Sequence, residues 1–153
     1  MNYSTKIITY AQLTKDELYA LLNLRSTVFI LEQNCCYQDL DYNDQHAQHV
    51  LMYDDNHKLV ATCRLFAKGI MYDNYACIGR VCCAKNTRGT GLGKLLMHTA
   101  LNHITTQMHE PSIKISAQYY LLQFYTALGF VAQGDIYLED TIDHIAMIYT
   151  SIN

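Results

Sequence analysis

Arg88-Gly89-Thr90-Gly91-Leu92-Gly93-Lys94 is the stretch of this sequence best equipped for chemistry. Glycines there let a ligand approach the backbone, and successive N–H groups can then point at it. A helix starting at the same place adds the positive end of its dipole. Such a loop suits a pyrophosphate, and spacing narrows how it would be used. A Walker loop needs one more residue between its glycines and a hydroxyl after its lysine, where Leu95 stands, so nucleotide hydrolysis is disfavoured. A dinucleotide fingerprint would need glycine at Lys94 or Leu96. What fits is Arg-x-x-Gly-x-Gly, made by Arg88, Gly91 and Gly93. Alone, that pattern is equally compatible with plain loop geometry.

The other reactive side chains organise less clearly. The cysteines, Cys35, Cys36, Cys63, Cys77, Cys82 and Cys83, contain no Cys-x-x-Cys, and the last three fall in an apolar, strand-like run. They read as buried free thiols rather than a metal or disulfide framework. Among the histidines only His46-x-x-His49 has ligand-like spacing, and no third ligand is near it, so no metal is expected.

Hydrophobic residues make up 50% of the 153 and charged residues 16%, with one proline, which is the composition of a compact domain. A single domain spanning 1–153 is expected. The net charge of −3 and the lack of a dense basic run count against nucleic acid as a partner. No apolar window approaches a membrane span, and no apolar core follows Met1-Asn2-Tyr3-Ser4-Thr5-Lys6 as a signal peptide would require. A cytoplasmic location without membrane association is expected.

The elements that must hold the Gly-rich loop can be read from periodicity. Thr14-Lys15-Asp16-Glu17 is a capping box, and Leu18, Leu21, Leu22, Arg25, Val28 and Phe29 follow at helical spacing, predicting a helix over about 15–31. Residues 34–46, with Asp39, Asp41 and Asp44, lack periodicity and predict a long loop, a feature that is often functional. His49–Tyr53 and Lys58–Phe66 flank turn residues and predict an antiparallel hairpin. Tyr75–Cys83 reads as a central strand leading into the Gly-rich loop and a helix through Ile104. A short strand, Ser112–Ser116, a helix over Tyr119–Leu128 capped by Gly129, and a final pair, Phe130–Leu138 and His144–Tyr149, complete the chain.

A second block adds to the first: Phe124-Tyr125-Thr126-Ala127-Leu128-Gly129-Phe130, with Gln118 upstream. Together the blocks resemble the GNAT superfamily of acetyl-CoA-dependent N-acetyltransferases in order and separation. Leu24–Asp41, Ile78-Gly79-Arg80-Val81 and Tyr137–Met147 resemble its ElaA-type subfamily, so the resemblance covers nearly the whole chain. The sequence departs from the family at Cys36, where proline is usual, at Tyr42 and Thr141, where glycine is common, and at Asp143, where proline is common.

The resemblance implies an α/β (α+β) fold: a mixed, mostly antiparallel twisted sheet of about six to seven strands flanked by helices on both faces. It implies acetyl-CoA as cosubstrate and direct acetyl transfer to a primary amine of a small molecule or protein, while a non-catalytic acyl-CoA-binding sensor or scaffold is the alternative. Main-chain atoms of Val81, Cys82 and Cys83 would hold the pantetheine arm. The loop of Arg88, Gly89, Thr90, Gly91, Leu92, Gly93 and Lys94 would take the pyrophosphate, and Gln118 would contact the arm. Tyr125 matches the usual general acid, which protonates the departing thiolate. Cys82 could in principle carry an acetyl group, against the direct-transfer norm. For the general base, Glu32 and His49 are the candidates, with a water relay as the alternative. Arg80 would recognise an anionic group on the acceptor or else pair with Glu32 or an aspartate. Asp39, Asp41, Asp44 and Glu32 would draw a cationic amine to the acceptor cleft. A homodimer is compatible with the sequence.

Overall fold

The computed structural model describes residues 2–151. Seven strands form one open sheet in the order β1-β2-β3-β4-β5-β7-β6. They are β1 (Ser4–Thr9), β2 (Gln48–Tyr53), β3 (Leu59–Phe66), β4 (Ala76–Cys83), β5 (Ser112–Gln118), β6 (Val131–Glu139) and β7 (Ile142–Thr150). Every neighbouring pair is antiparallel except β4 and β5. The helices are α1 (Lys15–Arg25), continued by a π-helical segment over Ser26–Glu32, α2 (Leu92–Thr106) and α3 (Leu122–Thr126). No helix among the described residues is long and apolar enough to cross a membrane.

Both faces of the sheet are covered because its central strands bury residues of both parities. Val50 and Met52 of β2 point to a large cluster with Leu92, Leu96, Met97, Ala100 and Ile104 of α2. Leu51, between them, points the other way, to Leu21 and Leu24 of α1. All of β3 is buried, the pattern of a strand covered on both sides. The Thr14 hydroxyl accepts from the Glu17 N–H at 3.1 Å while the Glu17 carboxylate accepts from the Thr14 N–H at 2.9 Å, so α1 starts where its capping box predicts.

Several boundaries differ from the sequence reading. Strand β1 was not anticipated: it is an edge strand of mostly exposed residues, formed by pairing with β2 rather than by a periodic apolar pattern. The expected helix over Tyr119–Leu128 is a 3₁₀ turn, Tyr119–Leu121, followed by the short α3. Gly129 ends it with φ 94°, as a C-terminal glycine does, and the Phe130 N–H returns to the Tyr125 carbonyl at 3.1 Å. Strand β7 starts two residues before the predicted His144, at Ile142, because Asp140 and Thr141 alone turn the chain.

The sheet parts in its middle. Strands β4 and β5 are paired only at Ala76–Ile113 and Cys77–Lys114. Beyond that point Arg80 takes a left-handed backbone, φ 50°, and the β3–β4 register slips between Thr62 and Arg64. This bulge bends β4 away from β5. The main chain from Ile78 to Cys83 therefore has β3 on one side and an open groove on the other.

Candidate active site

The groove holds a cavity of about 370 Å³. The π-helical segment gives it Val28, Phe29 and Glu32, with Gln33 just beyond; β4 gives Val81, Cys82 and Cys83; and α3 with the turn before it gives Leu121, Phe124 and Tyr125. π-Helical stretches are rare and frequently sit at functional sites, because the wider turn re-aims side chains. Arg88 and Gly93 close the end next to α2.

Gly91 is the N-cap of α2 at φ 90°, and no side chain caps the helix, so its first-turn N–H groups stay available to a ligand. A Cβ at Gly93 would stand 3.7 Å from the Phe124 ring and 3.9 Å from Cys83 Sγ, filling space between the loop and the groove. Gly89 is also left-handed, φ 78°. Thr90 serves the loop's own shape, donating to the Thr87 carbonyl at 2.7 Å, while Leu92 is buried in the core and Lys94 is exposed. Of the loop residues expected at the pyrophosphate, Arg88 and Gly93 line the cavity, and Gly89, Thr90, Gly91, Leu92 and Lys94 do not.

Arg88 lies across the groove. It donates to the Cys83 carbonyl at 3.0 and 3.1 Å and pairs with Glu32 at 2.6 Å. Glu32 is thus engaged by Arg88, not by Arg25 or Arg80. Burial pushes the Cys83 thiol up to about 11 and the Cys82 thiol further, so neither is a thiolate at neutral pH and a covalent cysteine route is disfavoured.

Tyr125 is buried between Phe124 and Phe130, with ring centroids 5.1 and 5.8 Å away in edge-on contacts. It lines the groove and also a second cavity of about 200 Å³. Burial raises its phenol well above the ordinary value, which keeps the proton on oxygen until a strong base appears beside it. Gln118 sits at the same junction and exchanges amide hydrogen bonds with Gln33 at 3.1 and 3.2 Å.

The second cavity runs from that junction between the loop after α1 and the β6–β7 hairpin. Its hairpin wall is polar. Ser116 Oγ donates to Glu139 Oε2 at 2.8 Å and is hydrogen-bonded to the Tyr137 hydroxyl. His144 stacks on Tyr137, centroids 6.1 Å apart, and its Nδ1 is 2.8 Å from the Ile142 carbonyl.

The acidic loop does not present its charge to this cavity as expected. Asp39 and Asp44 are buried and bind Arg25, itself 1% exposed, at 2.9 and 2.6 Å. Asp41 binds Arg64 at 2.7 and 2.9 Å, and Arg80 binds Asp39 at 2.8 Å. Three arginines thus meet three aspartates. Asp39, Asp41 and Asp44 are corrected from amine-recognition residues to parts of an internal network that pins the 34–46 loop to the sheet. Arg80 lines the cavity, but its charge is spent on Asp39 and Asp41, not held free for an anion. The same ion pairs hold its left-handed backbone, a strained state that persists only where surroundings fix it. Burial lowers the affinity of Asp41 for charge, yet hydrogen bonds from Arg64 and the Asn43 N–H outweigh this and hold its carboxyl well below the carboxylate range.

His49 is likewise corrected as a base. It is fully buried, lines neither cavity, and its Nε2 is 3.0 Å from the Asp44 carbonyl. Burial lowers its pKa, so it is a neutral core histidine. Residues that the sequence reading did not single out are Gln33, Leu121 and Phe124 in the groove, Ser116 of β5 with Glu139 and His144 of the hairpin on the second cavity, and Tyr137, which bonds Ser116 and stacks on His144. Their signal was the alternation of Ser116 with Gln118 and of Tyr137 with Glu139, which puts each pair on one face of its strand. Among the described residues no cluster of three or more His, Cys, Asp or Glu side chains could hold a metal.

Comparison with known proteins joins this geometry to a family. Residues 9–151 match the family model described as an acetyltransferase (GNAT) domain. Protein ElaA of Escherichia coli K12 is 36% identical over 140 residues, 90% of each chain. The crystal structure of an acyl-CoA N-acyltransferase from Pseudomonas aeruginosa superposes with a TM-score of 0.90 at 37% identity, covering 97% of this chain and 100% of that one. That of Escherichia coli ElaA gives 0.88 at 33%, covering 97% and 99%. A match of this extent and identity settles the family: the chain belongs to the GNAT acetyltransferases.

Proposed function

We propose that the protein is an acetyl-CoA-dependent N-acetyltransferase that transfers acetyl directly to a primary amine. The observation that carries this reading is the parting of β4 from β5, with the uncapped α2 N-terminus at one end and Tyr125 at the other. The groove fits a long, thin thiol ester with a charged head. Its middle is apolar, through Val28, Leu121 and Phe124, and one edge is the unpaired main chain of Val81–Cys83. Gly91, Gly93 and the first turn of α2 suit phosphates.

Acetyl-CoA, when bound, supplies the activated acetyl group. Val81, Cys82 and Cys83 hold its arm through main-chain groups, and Arg88 turns from Glu32 and the Cys83 carbonyl to the pyrophosphate. Gln118 and Gln33 border the arm where the cavities meet. Tyr125 gives its proton to the departing sulfur. A phenol with a raised pKa is protonated throughout the working pH range, so its proton is in place when the C–S bond breaks.

The test is thiol release from acetyl-CoA in the presence of phenethylamine, putrescine and lysine amide, followed with Tyr125→Phe. The reading expects release that depends on an amine, with the variant losing about 10² to 10⁴ in turnover while binding acetyl-CoA normally. Acetyl-CoA binding without amine-dependent release by the wild type would instead favour a sensor.

A further inference from the structure

The acceptor's proton needs a recipient in the second cavity, and neither expected base is there: Glu32 lines the groove alone and His49 is sealed in the core. We propose that His144 is the general base of the acceptor cavity, and that the acceptor arrives as an ammonium drawn in by Glu139 and Asp140. This inference rests on the acetyltransferase reading.

Three observations carry it. His144 belongs to the cavity wall and is the only histidine that does so among the described residues. Its position is next to the chemistry: in the β5–β7 ladder His144 faces Gln118, whose side chain lies with Tyr125 at the junction of the two cavities. Its tautomer is set by the backbone. A carbonyl can only accept, so Nδ1, 2.8 Å from the Ile142 oxygen, carries the proton and the lone pair of the neutral ring is on Nε2. Nε2 has no hydrogen-bond partner among the described residues, yet it is not among their buried unpaired atoms, so it is accessible to solvent on a residue that lines the cavity.

The charges around it select the substrate. Arg64 and Arg80 line the far side of the cavity but are neutralised by Asp39, Asp41 and Asp44. Tyr37, Tyr72 and Cys77 also face it, and burial raises all three, keeping them neutral. Glu139 and Asp140 are then the unpaired charges of the wall, with no lysine or arginine on either among the described residues. A cavity of that sign takes an alkyl ammonium and offers nothing to a carboxylate beside it.

The proton balance closes. Nε2 takes one proton from R–NH₃⁺, and the freed lone pair forms the C–N bond as the C–S bond breaks. Tyr125 protonates the sulfur and recovers a proton from the acylated nitrogen, so one proton leaves, through His144, to solvent. The products are the N-acetyl amine and free thiol.

Two measurements test this. Long-range ¹H–¹⁵N spectra of the labelled wild type, assigned with His144→Gln, should show a neutral ring protonated at Nδ1; a ring protonated at Nε2 overturns the inference whatever the enzyme turns over. With phenethylamine as acceptor and phenylalanine as its carboxylated counterpart, the wild type should prefer phenethylamine, and its kcat/KM should reach a plateau above the range where imidazoles titrate, roughly pH 5 to 8. His144→Gln should bind acetyl-CoA within twofold of wild type and lose about 100-fold in kcat/KM near neutrality. Its rate should keep rising tenfold per pH unit toward the amine's own pKa, since only free amine then reacts. A variant that keeps the plateau, or loses less than fivefold, overturns the proposal. If neither phenethylamine, putrescine nor lysine amide is acetylated although acetyl-CoA binds, the acetyltransferase reading falls and takes this inference with it, whereas the ring spectrum alone can sink the histidine.

Discussion

Gln33, just past the π-helical segment, and Gln118, at the end of β5, clasp each other through paired amide hydrogen bonds of 3.2 and 3.1 Å. Both line both cavities, so this clasp marks the seam between the groove and the second cavity. It ties α1 to the strand that diverges from β4. Gln33→Ala leaves the Gln118 amide half-buried with its partner gone, which costs about 1 kcal/mol. A roughly fivefold weaker acetyl-CoA Kd is expected, together with a lower melting temperature; titration calorimetry and thermal melts check both.

Arg88 and Glu32 form a 2.6 Å pair that must open for Arg88 to meet a pyrophosphate. Arg88→Ala should weaken acetyl-CoA binding about 10- to 100-fold, the worth of hydrogen bonds to a charged group of about 1.5–3 kcal/mol. Glu32→Gln, by releasing Arg88, should tighten binding and leave kcat nearly unchanged. A large kcat loss in Glu32→Gln would restore Glu32 as the base.

Acid should unfold the protein in two stages. His49 is held neutral by burial, its folded pKa lying below the unfolded value of about 6.5. Its contribution is present above that value and is lost as pH falls through it. Asp41, despite the opposing effect of burial, is held down by Arg64 and the Asn43 N–H, so its contribution is present above about pH 3.9 and is lost below. Urea midpoints measured from about pH 8 to 2 should show the upper step and the onset of the lower one, and His49→Gln should remove only the upper. Asp39→Ala, leaving the buried Arg25 with Asp44 alone and taking from Arg80 its nearer partner, should cost about 3–5 kcal/mol.

Thr141 is strained. With Asp140 at φ 47° and Thr141 at φ 67°, the β6–β7 turn has positive φ at both central residues, a conformation that favours glycine at the second. A β-branched residue there is an outlier. Thr141→Gly should stabilise the fold by about 1 kcal/mol in urea titrations, with acetyl-CoA binding unchanged.

Much of this architecture was legible beforehand, and the failures have identifiable causes. The capping box at Thr14, the β2–β3 hairpin and the strand–loop–helix unit through Gly93 are local patterns, and they stand where the sequence puts them. Tyr42 and Thr141, read as departures from family glycines, keep a left-handed backbone at φ 59° and 67°, so the loop shape survives the substitution. What stayed hidden was non-local. A pairing of Arg80 with an aspartate was among the expectations, but nothing in Asp39, Asp41 and Asp44 announces that Arg25 and Arg64, from a helix and another strand, converge on them too. An arginine at an apolar helix position was the overlooked sign, because a cation is buried only with partners. His144 was hidden for a related reason: its value comes from the Ile142 carbonyl and from Gln118 across the ladder.

Titration calorimetry of the purified protein with acetyl-CoA, with ATP and NAD as controls, asks whether acetyl-CoA occupies the groove between β4 and β5. Micromolar binding of acetyl-CoA, weakened by Arg88→Ala, is expected, with no comparable heat from either nucleotide. Absence of acetyl-CoA binding, or equal binding of ATP, would contradict that occupancy.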